Sequence, residues 1–241
     1  MAKKQVVLFI VEGVNDETAL ALPLEKLLTN ETVKFEITHG DLTSDFQGKN
    51  IAAKIGDCVR KHCADYKYRK EDFIEVILLV DMDGAYVNTA AIVQSSAHAD
   101  AYYETDKILH SAPDKYVKSQ KRKQQNLNHL ITLPKVFGTI PFSVYFFSCN
   151  LDHVICDNAN LSQARKRTEA EAFRAKYHAD TGGFLAFFCA SDIAVGTSYA
   201  DSWDYIKKDS NSLKRCSNFH IFLSPMAKNT PRMLFANRKA P

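Results

Sequence analysis

No apolar run in this 241-residue sequence is long enough to cross a bilayer, so no transmembrane helix is expected. The start Met1-Ala2-Lys3-Lys4 imitates a signal peptide, but the run from Val6 to Val11 is too short and stops at Glu12. Charge of one sign is scarce as well: 31 Lys and Arg face 28 Asp and Glu, leaving +3. A balance this even does not mark a nucleic-acid binder, so any such role has to come from local patches. A glycine-rich phosphate loop ending in Lys-Ser/Thr is missing, which argues against ATP hydrolysis by this chain; energy, if used, comes from another subunit. There is no internal repeat or low-complexity tract. The six cysteines, at 58, 63, 149, 156, 189 and 216, are scattered through a chain that needs no staples, which fits free thiols in a reducing compartment, by default the cytoplasm. Cys58, His62 and Cys63 suggest zinc, but no second Cys or His pair lies at suitable spacing, and they read as ordinary side chains.

What is present is a chain that is 46% hydrophobic, enough for a real core in one large domain or one domain with an appendage. Ile77-Leu78-Leu79-Val80 is continuous and apolar, as in a strand buried on both faces, and it ends in Asp81-Met82-Asp83-Gly84. Ligand sites of open α/β sheets lie beyond the carboxyl ends of such strands. Positions i and i+2 of an extended chain point the same way, so the two carboxylates are placed to grip one hard cation, with Gly84 turning the chain away. The plain alternative is a turn with aspartate as its local hydrogen-bonding residue.

In chain order, Gln5 to Val11 predicts a central strand that delivers Glu12 to the same rim. Glu17 to Leu28 predicts an amphipathic helix with Asp16 as its N-cap and Pro23 as an early kink or late start. Val33 to Thr38 is a second strand ending in His39-Gly40-Asp41, and Asn50 to Ala64 a second helix before the strand that carries Asp81. This order implies right-handed crossovers and a mainly parallel sheet. Asn88 to Tyr103 is helix-compatible in its alanines. Lys107 to Lys123 is the most basic segment, either a solvated face or a phosphate-backbone contact. Phe142 to Phe147 is a further strand, followed by Ser148-Cys149-Asn150-Leu151-Asp152-His153. Ser162 to His178 reads as a solvent-facing helix with Arg165, Lys166, Arg167 and Arg174 as a second basic surface. Helices around Phe184 to Ala190 and Ser202 to Lys207, a short strand over Asn218 to Leu223 and a basic tail from Pro225 to Pro241 complete the chain; the tail reads as disordered without a partner.

The segments Val11-Glu12-Gly13-Val14-Asn15-Asp16-Glu17-Thr18-Ala19-Leu20 and Val80-Asp81-Met82-Asp83-Gly84 resemble the two signature motifs of Toprim domains. That fold is shared by topoisomerases, bacterial primases, small ribosomal-RNA maturases and the overcoming-lysogenization-defect nucleases. Ser148-Cys149-Asn150-Leu151-Asp152 is similar to a Ser-Asn-x-Phe-Glu stretch of small bacterial defence proteins with this domain, with Asp152 in place of Glu. The resemblance covers residues 5 to 155 and implies a Rossmann-like α/β sheet, mainly parallel, at 1–158; residues 159–241 lie beyond it and read from their own pattern as a mostly helical extension that could dock a partner. It further implies that Glu12, Asp81 and Asp83 carry one or two Mg²⁺ or Mn²⁺ ions, supported by Asp16 and Asp152. Clustered carboxylates repel, so the group must take up protons or hold a cation, and oxygen ligands select a hard one. Two readings follow. One is a metal-dependent nuclease acting on DNA or RNA, the effector of an antiphage or toxin-like system, in which a metal-activated water attacks phosphorus and a lysine from 107–123 stabilises developing charge. The other is a sensor or binding subunit without turnover that partners an ATPase. Nucleic acid, an ATPase subunit and a second copy of the chain are the expected partners, with no membrane.

Overall fold

The computed structural model describes residues 5–29, 31–39, 41–44 and 50–227. Five elements build the first half of the sheet: β1 (Val6–Val11), α1 (Val14–Leu27), β2 (Thr32–Ile37), α2 (Ile51–Tyr66) and β3 (Phe73–Asp81). A small sheet follows, made of β4 (Ile92–Gln94), β5 (Tyr102–Tyr103) and β6 (Ile108–His110), and then α3 (Pro113–Leu130). The chain re-enters the main sheet with β7 (Lys135–Val136) and β8 (Ile140–Ser148). It ends with α4 (Leu151–Cys156), α5 (Gln163–Tyr177), α6 (Thr181–Cys189), α7 (Tyr199–Ile206), β9 (Cys216–Ser217) and α8 (His220–Ala227).

The main sheet runs β2-β1-β3-β8-β7, with β9 paired to the end of β8. β2, β1, β3 and β8 are parallel, and only the short β7 and β9 are antiparallel. The chain is therefore mixed α/β with a mostly parallel central sheet. All six residues of β1 are buried, as a strand covered on both faces requires. From β1 the chain steps outward to β2 and then returns past β1 to β3, so right-handed crossovers place α1 and α2 on opposite faces. α1 packs against α5, and α2 against α3. The reversal makes the crevice between the carboxyl ends of β1 and β3 the switch point of the sheet. Glu12 and Asp81 stand there.

Four local expectations are corrected. Asp16 is not the N-cap of α1; Gly13 is, and Asp16 sits at N3, where its Oδ2 accepts the Gly13 N–H at 2.9 Å. Residues 88–103 contain one 3₁₀ turn and two short strands instead of a helix. Residues 218–223 lie mostly in α8, and the strand falls just before, at Cys216–Ser217. Pro23 is buried within α1, beyond its first turn. The basic tail belongs to α8 as far as Ala227, and its remainder, 228–241, lies outside the described residues. One hydrophobic cluster runs from Val6 to Leu223, and its C-terminal part is aromatic: Tyr145, Phe147, Phe188, Phe219 and Phe222 meet one another at ring separations of 5.3–6.1 Å. No helix among the described residues is long and apolar enough to cross a membrane.

Candidate functional site

Four acidic residues reach the rim from successive chain segments: Glu12 after β1, Asp41 after β2, and Asp81 and Asp83 at and beyond the end of β3. Asp83 has φ 47° and Gly84 φ 68°, so the chain reverses sharply there. Glycine is required at 84, since a Cβ would lie 2.6 Å from Ile108 Cδ1 and 2.9 Å from Leu213 Cδ2. The main chain at this turn is tied to the next strand, with Met82 N–H donating to Phe147 O at 2.9 Å and Asp83 N–H to Cys149 O at 2.8 Å.

Lys123 lies in the midst of these acids. It sits on the buried stripe of α3 with Gln120, Leu127 and Leu130, and its side chain is 0% exposed. Its Nζ is 2.6 Å from Asp83 Oδ2, 3.0 Å from Asp41 Oδ2 and 3.9 Å from Glu12 Oε1. Burial works against the ammonium, but Asp41, Asp83 and Glu12 hold its pKa well above the ordinary lysine value. Burial likewise opposes ionisation of Asp41, yet Lys123 and hydrogen bonds from Thr43 and Ser44 bring that carboxyl down to about 2. The small sheet and α3 complete the wall: Tyr103 donates its hydroxyl to Asp83 Oδ1 at 2.9 Å, and Tyr116 to Asp83 O at 2.9 Å. Lys123 is thus no member of an exposed basic loop, although Lys121 and Arg122 beside it are exposed.

The other side of the rim is short of positive charge. Glu12 and Asp81 are both pushed well above the carboxylate range, first by burial and then by the acids around them, with Lys123 only partly offsetting this. Asp16 rises to about 6 through burial and the charge of Asp152, against the Gly13 hydrogen bond. Asp81 Oδ1 accepts the Leu151 N–H at 3.0 Å, from the first turn of α4. Glu12 Oε1 is buried and accepts no hydrogen bond. Asp152 is buried in α4, and its Oδ2 is paired with Lys166 Nζ at 3.0 Å.

Glu12, Asp81 and Asp83 line a common cavity of about 550 Å³, walled by residues 97–103, Asn150, residues 159–161, Gln163 and Lys166. Of the second basic surface, only Lys166 reaches this cavity; Arg165 and Arg167 pair with Glu169 and Glu171 on their own helix, each at 3.0 Å. Asp41, Tyr103, Tyr116 and the inward role of Lys123 escaped the sequence reading. Asp41 carried a signal, being an acid just after a strand parallel to β1. Cys58 and Cys63 are free thiols, and His62 Nε2 lies 3.0 Å from Glu36 and stacks on Tyr66, a local packing arrangement.

Among the described residues no group of three or more His, Cys, Asp or Glu side chains is disposed to hold a metal ion by itself. Magnesium commonly takes only one or two carboxylates and keeps several waters. Glu12 Oε1, which accepts no hydrogen bond, and the all-oxygen donors beside it fit that kind of shell. No protein-family model matches this sequence, and no curated protein or solved structure matches it either.

The proton-binding side of the rim has a measurable signature. A carboxyl at about 6 in the folded chain and 3.8 ordinarily contributes stability that is complete below 3.8 and lost as pH rises through 6. Asp16→Asn keeps an acceptor for Gly13 and removes that titration. Its melting temperature relative to the parent should therefore climb between pH 4 and pH 7 in metal-free buffer, and a flat difference profile would show that Asp16 is not held protonated.

Proposed function

We propose that this chain is a metal-dependent nuclease of the Toprim type, hydrolysing phosphodiester bonds of DNA or RNA as the effector of an antiphage or toxin-like system. The observation that carries this reading is Glu12, which lines the polar cavity beside Asp81 at the switch point of a parallel sheet and whose buried Oε1 accepts no hydrogen bond, with the Lys123 ammonium no nearer than 3.9 Å. Glu12 and Asp81 are the residues that would hold Mg²⁺ or Mn²⁺, with Asp16 next to them. When bound, such an ion neutralises a phosphate and makes a water more acidic.

The chain's own groups do the rest. Lys166, steadied by Asp152, presents a positive charge to a phosphate entering the cavity. The Leu151 N–H fixes one oxygen of Asp81 and leaves the other for the ion. Lys123 holds Asp83 and Asp41 in place through direct ion pairs and offsets the charge gathered on the acidic floor.

Purified protein incubated with plasmid, linear DNA and RNA in Mg²⁺ or Mn²⁺ tests the reading. Cleavage should require the ion and fall roughly a hundredfold or more in Asp81→Ala, a loss of several kcal/mol of transition-state stabilisation. Equal cleavage by the variant would trace the activity to a contaminant. A second reading, a sensor or binding subunit of an ATPase, draws on Lys123: the ammonium already neutralises much of the acidic rim, so the fold stands without turnover chemistry. Metal binding with no cleavage of any of the three substrates favours that alternative.

A further inference from the structure

We propose that Lys123 is a built-in second cation, so that the site takes a single divalent ion on the Glu12 and Asp81 side while Asp83 and Asp41 hold the lysine. The inference rests on the metal-dependent reading of the same site. Two-ion phosphodiester chemistry places its cations about 4 Å apart. Here an ammonium already stands among the acids, in direct contact with Asp83 and Asp41 and 3.9 Å from Glu12 Oε1, where a second cation would otherwise sit.

Hydrogen-bond capacity divides the acids in the same way. Asp83 has Tyr103 on Oδ1 and Lys123 on Oδ2. Asp41 has the Thr43 hydroxyl and the Thr43 and Ser44 N–H groups on Oδ1, and Lys123 on Oδ2. Both carboxylates are therefore engaged at each oxygen. Glu12 Oε1 accepts no hydrogen bond and has Lys123 Nζ no closer than 3.9 Å, while Asp81 accepts the Leu151 N–H on Oδ1 and Asp16 the Gly13 N–H on Oδ2. Nor is the lysine placed to swing aside. α3 is fastened on both flanks of Nζ, by Asn126 to Thr43 O at 2.6 Å, by Gln124 to Ala85 O, and by Tyr116 to Asp83 O at 2.9 Å. An ion sharing Asp83 Oδ2 would have to sit against a fixed positive charge.

Equilibrium dialysis against Mn²⁺ at pH 7.5, with bound metal counted by atomic emission and the spin signal read by electron paramagnetic resonance, tests this without recourse to activity. The parent chain should hold one ion per chain and give the spectrum of an isolated Mn²⁺. Lys123→Met should hold two, with the broadened spectrum of a coupled pair; Lys123→Arg, which keeps the charge, should stay at one. Two ions in the parent, or one in Lys123→Met, overturns the inference while leaving a metal-dependent enzyme standing. No ion in the parent overturns the metal reading itself. Should Lys123→Met fail to fold, the counts for the parent and Lys123→Arg decide.

Discussion

Lys123→Met is expected to lower folding stability by about 3–5 kcal/mol at pH 7.5 in metal-free buffer, because it strips the counter-charge from carboxylates that remain buried. For a chain of this size that corresponds to a fall in melting temperature of roughly 6–20 °C. The cause is electrostatic, since methionine is close to lysine in length and apolar character along the stem. Without the ammonium, Glu12, Asp41 and Asp83 face one another, and the lowering effect of Lys123 on the Glu12 and Asp41 carboxyls is lost. A carboxyl with a raised folded pKa contributes stability at acid pH and loses it as pH climbs through that value. The variant should therefore recover much of its deficit near pH 5, and at pH 7.5 Mn²⁺ should restore it in part. A deficit that is the same at both pH values, and indifferent to Mn²⁺, would mean that Lys123 matters only as packing.

The two aspartates of Asp81-Met82-Asp83 should respond in opposite directions to the same change. In Asp81→Asn the side-chain oxygen can still accept the Leu151 N–H, while a charge disfavoured by burial and by Glu12 disappears. The metal-free melting temperature should rise at pH 7.5 and stay level near pH 4, where Asp81 already carries its proton, and Mn²⁺ binding should be lost. Asp83→Asn removes the closest counter-charge of a fully buried lysine, with a cost of about 1.5–3 kcal/mol, the worth of a hydrogen bond to a charged group. Its Mn²⁺ binding should persist. Thermal melts of the two variants at both pH values decide the matter; shifts of the same sign at pH 7.5 would contradict the division of the rim into a lysine side and an ion side.

The strands that frame the site were legible because nothing competes with their signal. β1 and the later parts of β3 (Val76–Val80) and β8 (Val144–Phe147) are continuous apolar runs, and a parallel sheet covered on both faces demands such runs. The strand-helix alternation then gives the parallel order, and the acids at the strand ends mark the rim. What escaped was everything that depends on a long-range partner. Lys123 belongs by composition with Lys121 and Arg122, and only its phase on the buried stripe with Leu127 and Leu130 separates it from them. Tyr103 lies in a two-residue strand whose register is set by β6, and no periodicity can be read from two residues. The segment at 218–223 is apolar enough for a strand, but the pairing with β8 is made by Cys216 and Ser217, and Phe219 and Phe222 join the aromatic cluster at the start of the last helix. Asp16 looked like a cap because an acid preceded a helical pattern; the helix starts a turn earlier.

The part of the cavity wall formed by residues 97–103 is braced at two points. Asn160 holds Tyr103 with both halves of its amide, accepting the Tyr103 N–H and donating to Tyr103 O, each at 2.8 Å, and Ser111 N–H donates to His98 O at 2.7 Å. The first brace ties the small sheet to the segment after α4, and the second ties the 97–101 loop to the start of α3. On this side the rim is cross-stitched: any widening of the mouth has to break main-chain and amide hydrogen bonds, so it carries a cost that a dangling loop would not impose.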